Sequence, residues 1–305
     1  MRERIRALEQ RARELDPGPE TRRDLLEQCR HYAESFLQEL PLKDTYVADT
    51  CRKGLDAGEF SDEPAEFADL LESFRAEVDT TGILPASGGQ MGYIPGGGLF
   101  PSALGDFIAA VSNRYSGVAF AGPGAADMEG TLLRWMCRLV GYPETASGDL
   151  TSGGTMATLS ALVTARDAHG IDYRAIPRAC VYMTAQAHHC VGTALNVAGL
   201  KDVQRRIVPM DERFRMDSGV LRSMVVKDAE AGLQPWLVVG SAGTTDTGAV
   251  DPIIQLAAVS REFGLWFHLD AAYGGFFILT DEGRAVLKGM GQADSIVMDP
   301  HKGLG

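Results

Sequence analysis

The sequence predicts an α/β protein with a mostly parallel sheet, and three observations predict it. Short, continuously apolar runs recur at residues 179–183, 206–209, 236–239, 265–269 and 295–298. Between them lie stretches with helical spacing, at 154–169, 191–198, 218–231 and 253–263. Residues able to do chemistry, among them His188, Thr244, Asp270 and Lys302, fall at or after the ends of the apolar runs. Strands that are apolar throughout are buried on both faces, the condition of a parallel sheet covered by helices. In such sheets a ligand sits beyond the carboxyl ends of the strands.

The elements before residue 82 have a different texture. Residues 9–15 and 21–40 are rich in Glu, Arg, Leu and Gln, and Leu25, Cys29, Tyr32, Phe36 and Leu40 recur at helical spacing. Pro41 stops that helix. A further helix is expected over 64–78, with Phe67, Leu70, Leu71 and Phe74 on one face. Residues 1–81 therefore read as an N-terminal helical arm, either folded on its own core or laid on a partner subunit. Residues 82–305 read as the α/β domain.

Composition excludes several functions. With 29 Lys and Arg against 41 Asp and Glu, the net charge of -12 leaves no basic stripe for nucleic acid. No apolar run approaches the ~20 residues that span a bilayer, and Met1-Arg2-Glu3-Arg4 opens a charged segment rather than a signal peptide. Cys29, Cys51, Cys137, Cys180 and Cys190 are scattered and form no C-x-x-C pair. Neither a disulfide framework nor a zinc knuckle is indicated, and a cytoplasmic location is expected.

Three segments carry the chemistry. In Thr151-Ser152-Gly153-Gly154-Thr155 a turn of small residues runs into a good helix. Its backbone N–H groups can approach an anion closely, with the helix dipole and the Thr155 hydroxyl adding to the attraction. Taken alone it is as readily a simple N-cap turn, and without G-x-x-x-x-G-K-[ST] it suits a compact phosphate better than a nucleotide. In His268-Leu269-Asp270-Ala271-Ala272-Tyr273 an apolar strand delivers Asp270 into small residues. A carboxylate there either meets a cation or caps a turn. In Ser295-Ile296-Val297-Met298-Asp299-Pro300-His301-Lys302 a strand ends in a His-Lys pair. A lysine inside such a crevice is partly desolvated, which favours the neutral amine that forms a Schiff base, whereas most lysines after strands face solvent.

Together the three supply what pyridoxal 5'-phosphate (PLP) needs: a Schiff-base lysine, an acid for its pyridinium and an anion site for its phosphate. From about residue 90 to the last, the chain resembles the group II PLP-dependent decarboxylases, the family of aromatic-L-amino-acid, glutamate and histidine decarboxylases. The resemblance implies the fold-type-I large domain, with a seven-stranded-type sheet, and a homodimer acting on an amino acid as its small-molecule substrate. It implies that Lys302 holds the cofactor, Asp270 pairs with the pyridinium, and Gly154 and Thr155 hold phosphate. His188 falls where the family stacks an imidazole on the ring, and Thr244 and Ala272 where it packs the cofactor's other face and edge. His301 precedes the lysine as in the family.

Two neighbouring features are read differently. His188-His189-Cys190 is not expected to bind metal, because adjacent side chains point apart and no fourth ligand stands at a recognisable spacing. Gly96-Gly97-Gly98 lacks a strand–turn–helix frame and reads as a substrate-side loop.

The expected activity is decarboxylation of an L-amino acid to the amine and CO₂. The alternatives are another PLP-dependent carbon–carbon lyase, an aminotransferase, or a truncated and inactive homologue. Tyr93, Ile94 and Pro95 fall where relatives line the substrate pocket, and Ile94 replaces an aromatic residue, which weighs against an aromatic substrate. The chain stops three residues after Lys302, without the mobile loop and small C-terminal domain of the family. It is therefore expected to decarboxylate poorly on its own.

Overall fold

All five apolar runs form strands, and they pair with one another. In the computed structural model, which describes residues 1–48, 65–92, 94 and 96–304, the chain begins with α1 (Arg2–Ala12), α2 (Pro19–Glu39), β1 (Tyr46–Val47), α3 (Phe67–Glu77) and β2 (Gly82–Ile83). It continues through α4 (Phe100–Ser112), α5 (Pro123–Val140), α6 (Gly154–Ala168), β3 (Ala179–Met183), α7 (His189–Val197), β4 (Gln204–Ile207) and α8 (Ser218–Glu230). The last elements are β5 (Gln234–Ser241), α9 (Ile253–Phe263), β6 (Trp266–Asp270), α10 (Asp281–Val286), β7 (Ser295–Val297) and α11 (Pro300–Gly303). Two compact units result, Met1–Gly92 and Tyr93–Gly305. The change of texture read at residue 82 falls inside the first.

In the first unit the helix expected over 9–15 starts earlier, at Arg2, and its last turn tightens into a 3-10 turn, Arg13–Leu15. In α2 the expected stripe is interrupted: Leu25, Tyr32 and Phe36 are half-buried, but Cys29 is exposed. Tyr32 meets Phe74 of α3 edge-on at 6.0 Å between centroids and hydrogen-bonds Asp79. β1 pairs antiparallel with β2. Pro64 and Cys51 lie outside the described residues. None of the described helices is long and apolar enough to cross a membrane.

In the second unit five strands make one sheet of order β4-β3-β5-β6-β7, parallel at every pairing. The resemblance implies a seven-stranded-type sheet; among the described residues the sheet has five strands. Alternation decides the packing, because successive side chains in a strand face opposite ways. Val181, Met183, Leu237 and Val239 pack with Leu162, Ala165, Val191 and Leu195 under α6 and α7. Tyr182, Val238, Phe267 and Leu269 pack with Leu221, Val225, Leu256 and Ala257 under α8 and α9. β4 lies at an edge, and its residues alternate between half-buried and exposed.

Besides the short α10 and α11, two longer helices went unread in the sequence, α4 and α5. Both start with proline in the first turn, where its missing N–H costs nothing. Both also contain internal glycine, Gly105 or Gly130, which lowers helix propensity and masks the signal.

Candidate active site

Strand order and register bring the chemistry together. The chain moves outward from β3 to β4, then returns to the other side of β3 for β5. That reversal opens a crevice at the carboxyl ends of β3 and β5. Further along the sheet, Ser241 of β5 stands opposite Asp270 of β6, and Asp270 opposite Val297 of β7. The loops that follow these strands therefore leave from a common row. Above it lies a cavity of about 230 Å³ lined by Gly154, Thr155, His188, Thr244, Asp270, Ala272, His301 and Lys302, with Ile94 on its wall. Tyr93 and Pro95 lie outside the described residues.

One end of the cavity is the start of α6. Its N-cap, Gly153, provides no side chain, and the Gly153 carbonyl accepts from Met156 and Ala157 at 3.0 and 3.1 Å. The N–H groups of Gly154 and Thr155 precede those bonds and make none among the described residues. An uncapped helix start with a threonine hydroxyl beside it is a site for an anion.

Asp270 ends β6 half-buried, and its Oδ1 accepts from Ala272 N at 3.1 Å. The loop after β5 presses against it. A Cβ on Gly274 would fall 2.0 Å from the Ala242 carbonyl oxygen, so only glycine fits there. Gly243 opposite has φ +102, a conformation that favours glycine. This close approach places Thr244, buried and bonded through Oγ1 to Thr247 Oγ1 at 2.7 Å, on the same cavity as Ala272.

His188 caps α7, with Nδ1 accepting from Cys190 N at 3.3 Å. A ring nitrogen that accepts carries no proton, so the proton of the neutral ring sits on Nε2. Burial, helped by neighbouring His189, pushes this imidazole below its ordinary range and keeps it neutral. The expectation that the two histidines point apart is corrected: their centroids are 4.1 Å apart. The cap bends the chain between them, so they do not alternate as in a strand.

Lys302 sits on α11 with Nζ 2.6 Å from Asp299 Oδ2; His301 Nε2 is 3.6 Å from the same oxygen and largely exposed. Beneath the row, His268 is fully buried with Nδ1 2.9 Å from Ser295 Oγ, and burial pushes its ring down to about 4. The sequence reading assigned no role to Asp299, Thr158, Cys190 or Tyr273, all of which line the cavity. Asp299 had a visible signal, since it precedes Lys302 by three residues, the spacing of neighbours on a helical turn.

Residues 51–305 match the family described as the pyridoxal-dependent decarboxylase conserved domain. Curated relatives include the aromatic-L-amino-acid decarboxylase of Bacillus atrophaeus, 36% identical over 70% of this chain and 44% of its own length. Tryptophan decarboxylase 1 of Oryza sativa subsp. japonica is 34% identical over 79% of this chain and 50% of its own. The crystal structure of Oryza sativa TDC with PLP superposes with a TM-score of 0.84 at 26% identity, covering 94% of this chain and 65% of that one. The chain spans about half the length of the curated relatives it matches. On the extent of these matches, the chain belongs to the pyridoxal-dependent decarboxylase family.

Proposed function

We propose that the chain is the cofactor-binding part of a carboxy-lyase that removes CO₂ from an L-amino acid. The observation that carries this reading is the convergence, on one cavity, of an uncapped helix start, a strand-end carboxylate and a lysine. That donor set fits PLP at each of its three fixed points. When bound, the cofactor supplies an electron sink for the pair released as CO₂ leaves Cα.

Each residue has a task toward it. The N–H groups of Gly154 and Thr155, with the Thr155 hydroxyl, hold the phosphate. Asp270, with one oxygen engaged by Ala272 N, offers the other to a protonated ring nitrogen and keeps the proton there. Neutral His188 covers one face of the ring; Thr244 and Ala272 pack the other face and edge, and His301 flanks the lysine. Lys302 holds the cofactor until substrate amine replaces it. Ile94, on the cavity wall, takes part in deciding which amino acid enters. The names of the relatives point to aromatic amino acids, and Ile94 is the residue that decides whether a ring is accepted.

Residues 1–81 serve as a helical arm and 82–305 as the large domain. Pairing with a second copy is supported by α4, whose Leu104, Phe107, Ile108 and Val111 are 47–70% exposed, an unusual display of apolar surface. The free cysteines Cys29, Cys137, Cys180 and Cys190 suit a reducing, cytoplasmic compartment.

Borohydride reduction of the protein with PLP, followed by peptide mapping and a screen of L-amino acids for CO₂ release, tests the reading. The pyridoxyl label is expected on Lys302. A label on a different lysine would refute the assignment.

A further inference from the structure

We propose that Asp299 is a latch on Lys302: through a close ion pair it holds the side chain against the first turn of α6 and so sets how fast this lysine condenses with an aldehyde. The inference rests on reading Lys302 as the Schiff-base lysine and adds a residue that controls the attachment.

Asp299 is nearly buried, at 7% exposure. Its Oδ2 is 2.6 Å from Lys302 Nζ and 3.6 Å from His301 Nε2. The same oxygen lies 3.1 Å from where a Cβ on Gly154 would stand, so the carboxylate packs on the first residue of α6. A helix start favours an anion there. The backbone is fixed as well: Asp299 N donates to Ala272 O, and Asp299 O accepts from Lys302 N, both at 3.2 Å. The carboxylate is therefore held in place and cannot follow the lysine outward.

An amine attacks an aldehyde carbon through its lone pair, and an ammonium has none. Condensation requires Lys302 to leave Asp299 and give one proton to solvent. The nitrogen then bonds to the aldehyde carbon, and the aldehyde oxygen leaves as water with the two remaining amine hydrogens. Departure of the cation strips a nearly buried carboxylate of its partner, which is unfavourable. A phosphate arriving at the same helix start adds like charge beside it.

The test uses Asp299→Asn, which keeps the shape and removes the charge, and Asp299→Glu, which keeps the charge. Each is mixed at neutral pH with pyridoxal, which lacks phosphate, and with PLP. Imine absorbance is followed, and borohydride trapping locates the label. Condensation of pyridoxal at Lys302 is expected to be about fivefold faster in Asp299→Asn, the scale on which one partly exposed ion pair restrains a side chain. Asp299→Glu is expected to stay near the unaltered protein. An unchanged denaturant midpoint in Asp299→Asn separates the loss of the latch from local loosening that would expose the lysine. Labelling of Lys302 at an unchanged or slower rate in Asp299→Asn overturns the latch and leaves the Schiff-base assignment standing. Labelling of another lysine overturns both.

Discussion

Helices α1–α4 and helices α6–α9 both carry apolar side chains at helical spacing, yet they use them differently. Not one residue of α1–α4 is buried. Every helix of the second group buries at least three, from Leu162 and Ala165 in α6 to Leu256 and Ala257 in α9. The side chains alone do not explain this, since α4 offers Phe100, Leu104, Phe107, Ile108 and Val111. What differs is the opposing surface: α6–α9 each cover a face of the sheet, and an amphipathic stripe stabilises only against a partner. The core of the site-bearing unit therefore rests on the sheet and its four covering helices.

The sharpest way to break this comparison is truncation on either side of it. Phe267, fully buried between β5 and α9, is expected to cost about 3–5 kcal/mol as Phe267→Ala. Phe107→Ala on α4 should cost less than about 1 kcal/mol, because the side chain is already half in solvent. Denaturant midpoints of the two variants give the contrast directly. Equal losses would show that α4 is held as firmly as the sheet.

A second, smaller effect comes from acid. Burial pushes His268 from 6.5 down to about 4, so the unfolded chain takes up a proton at higher pH than the folded one. The stabilisation from keeping this ring neutral is complete above pH 6.5 and is lost as the pH falls from 6.5 to 4. The loss amounts to roughly 3 kcal/mol over that range. His268→Gln should flatten that part of the curve. Unfolding followed from neutral pH to about pH 4.5 in both proteins measures it, and an unchanged slope in the variant would assign the acid sensitivity elsewhere.

The smallest expected change in stability sharpens the reading of α4. Ile108→Glu should leave the unfolding of the sheet within about 0.5 kcal/mol. It should also shift sedimentation toward a smaller species if a second copy covers this face. Identical sedimentation of the two proteins would remove α4 from the interface.

How much of this was legible in the sequence depended on burial. β3 and α9 have the bounds read for them, 179–183 and 253–263, because each lies in the core and its pattern is continuous. β5 extends at both ends beyond 236–239, through Gln234 and Pro235 and through Gly240 and Ser241, residues whose own preferences hide a strand. β4 starts at Gln204, before the run read at 206–209, because three of its four residues are polar and the half-buried ones are Gln204 and Arg206, so no apolar pattern marks its start. In the site, His188, Thr244, Asp270 and Lys302, with Gly154, Thr155, Ala272, His301 and Ile94, line one cavity. For Asp299 the spacing to Lys302 is written in the sequence, but the approach of its carboxylate to the start of α6 is not, because that distance joins segments far apart in the chain.

The contact between Gly274 and the Ala242 carbonyl has a mechanical consequence. Two backbones that touch without an intervening side chain leave no soft element between them. The turn bearing Thr244 and the turn bearing Asp270 and Ala272 are then a single rigid part hung from two neighbouring strands. A substitution that displaces one will drag the other, so Thr244 and Asp270 should keep their mutual spacing even in variants where both drift relative to Lys302.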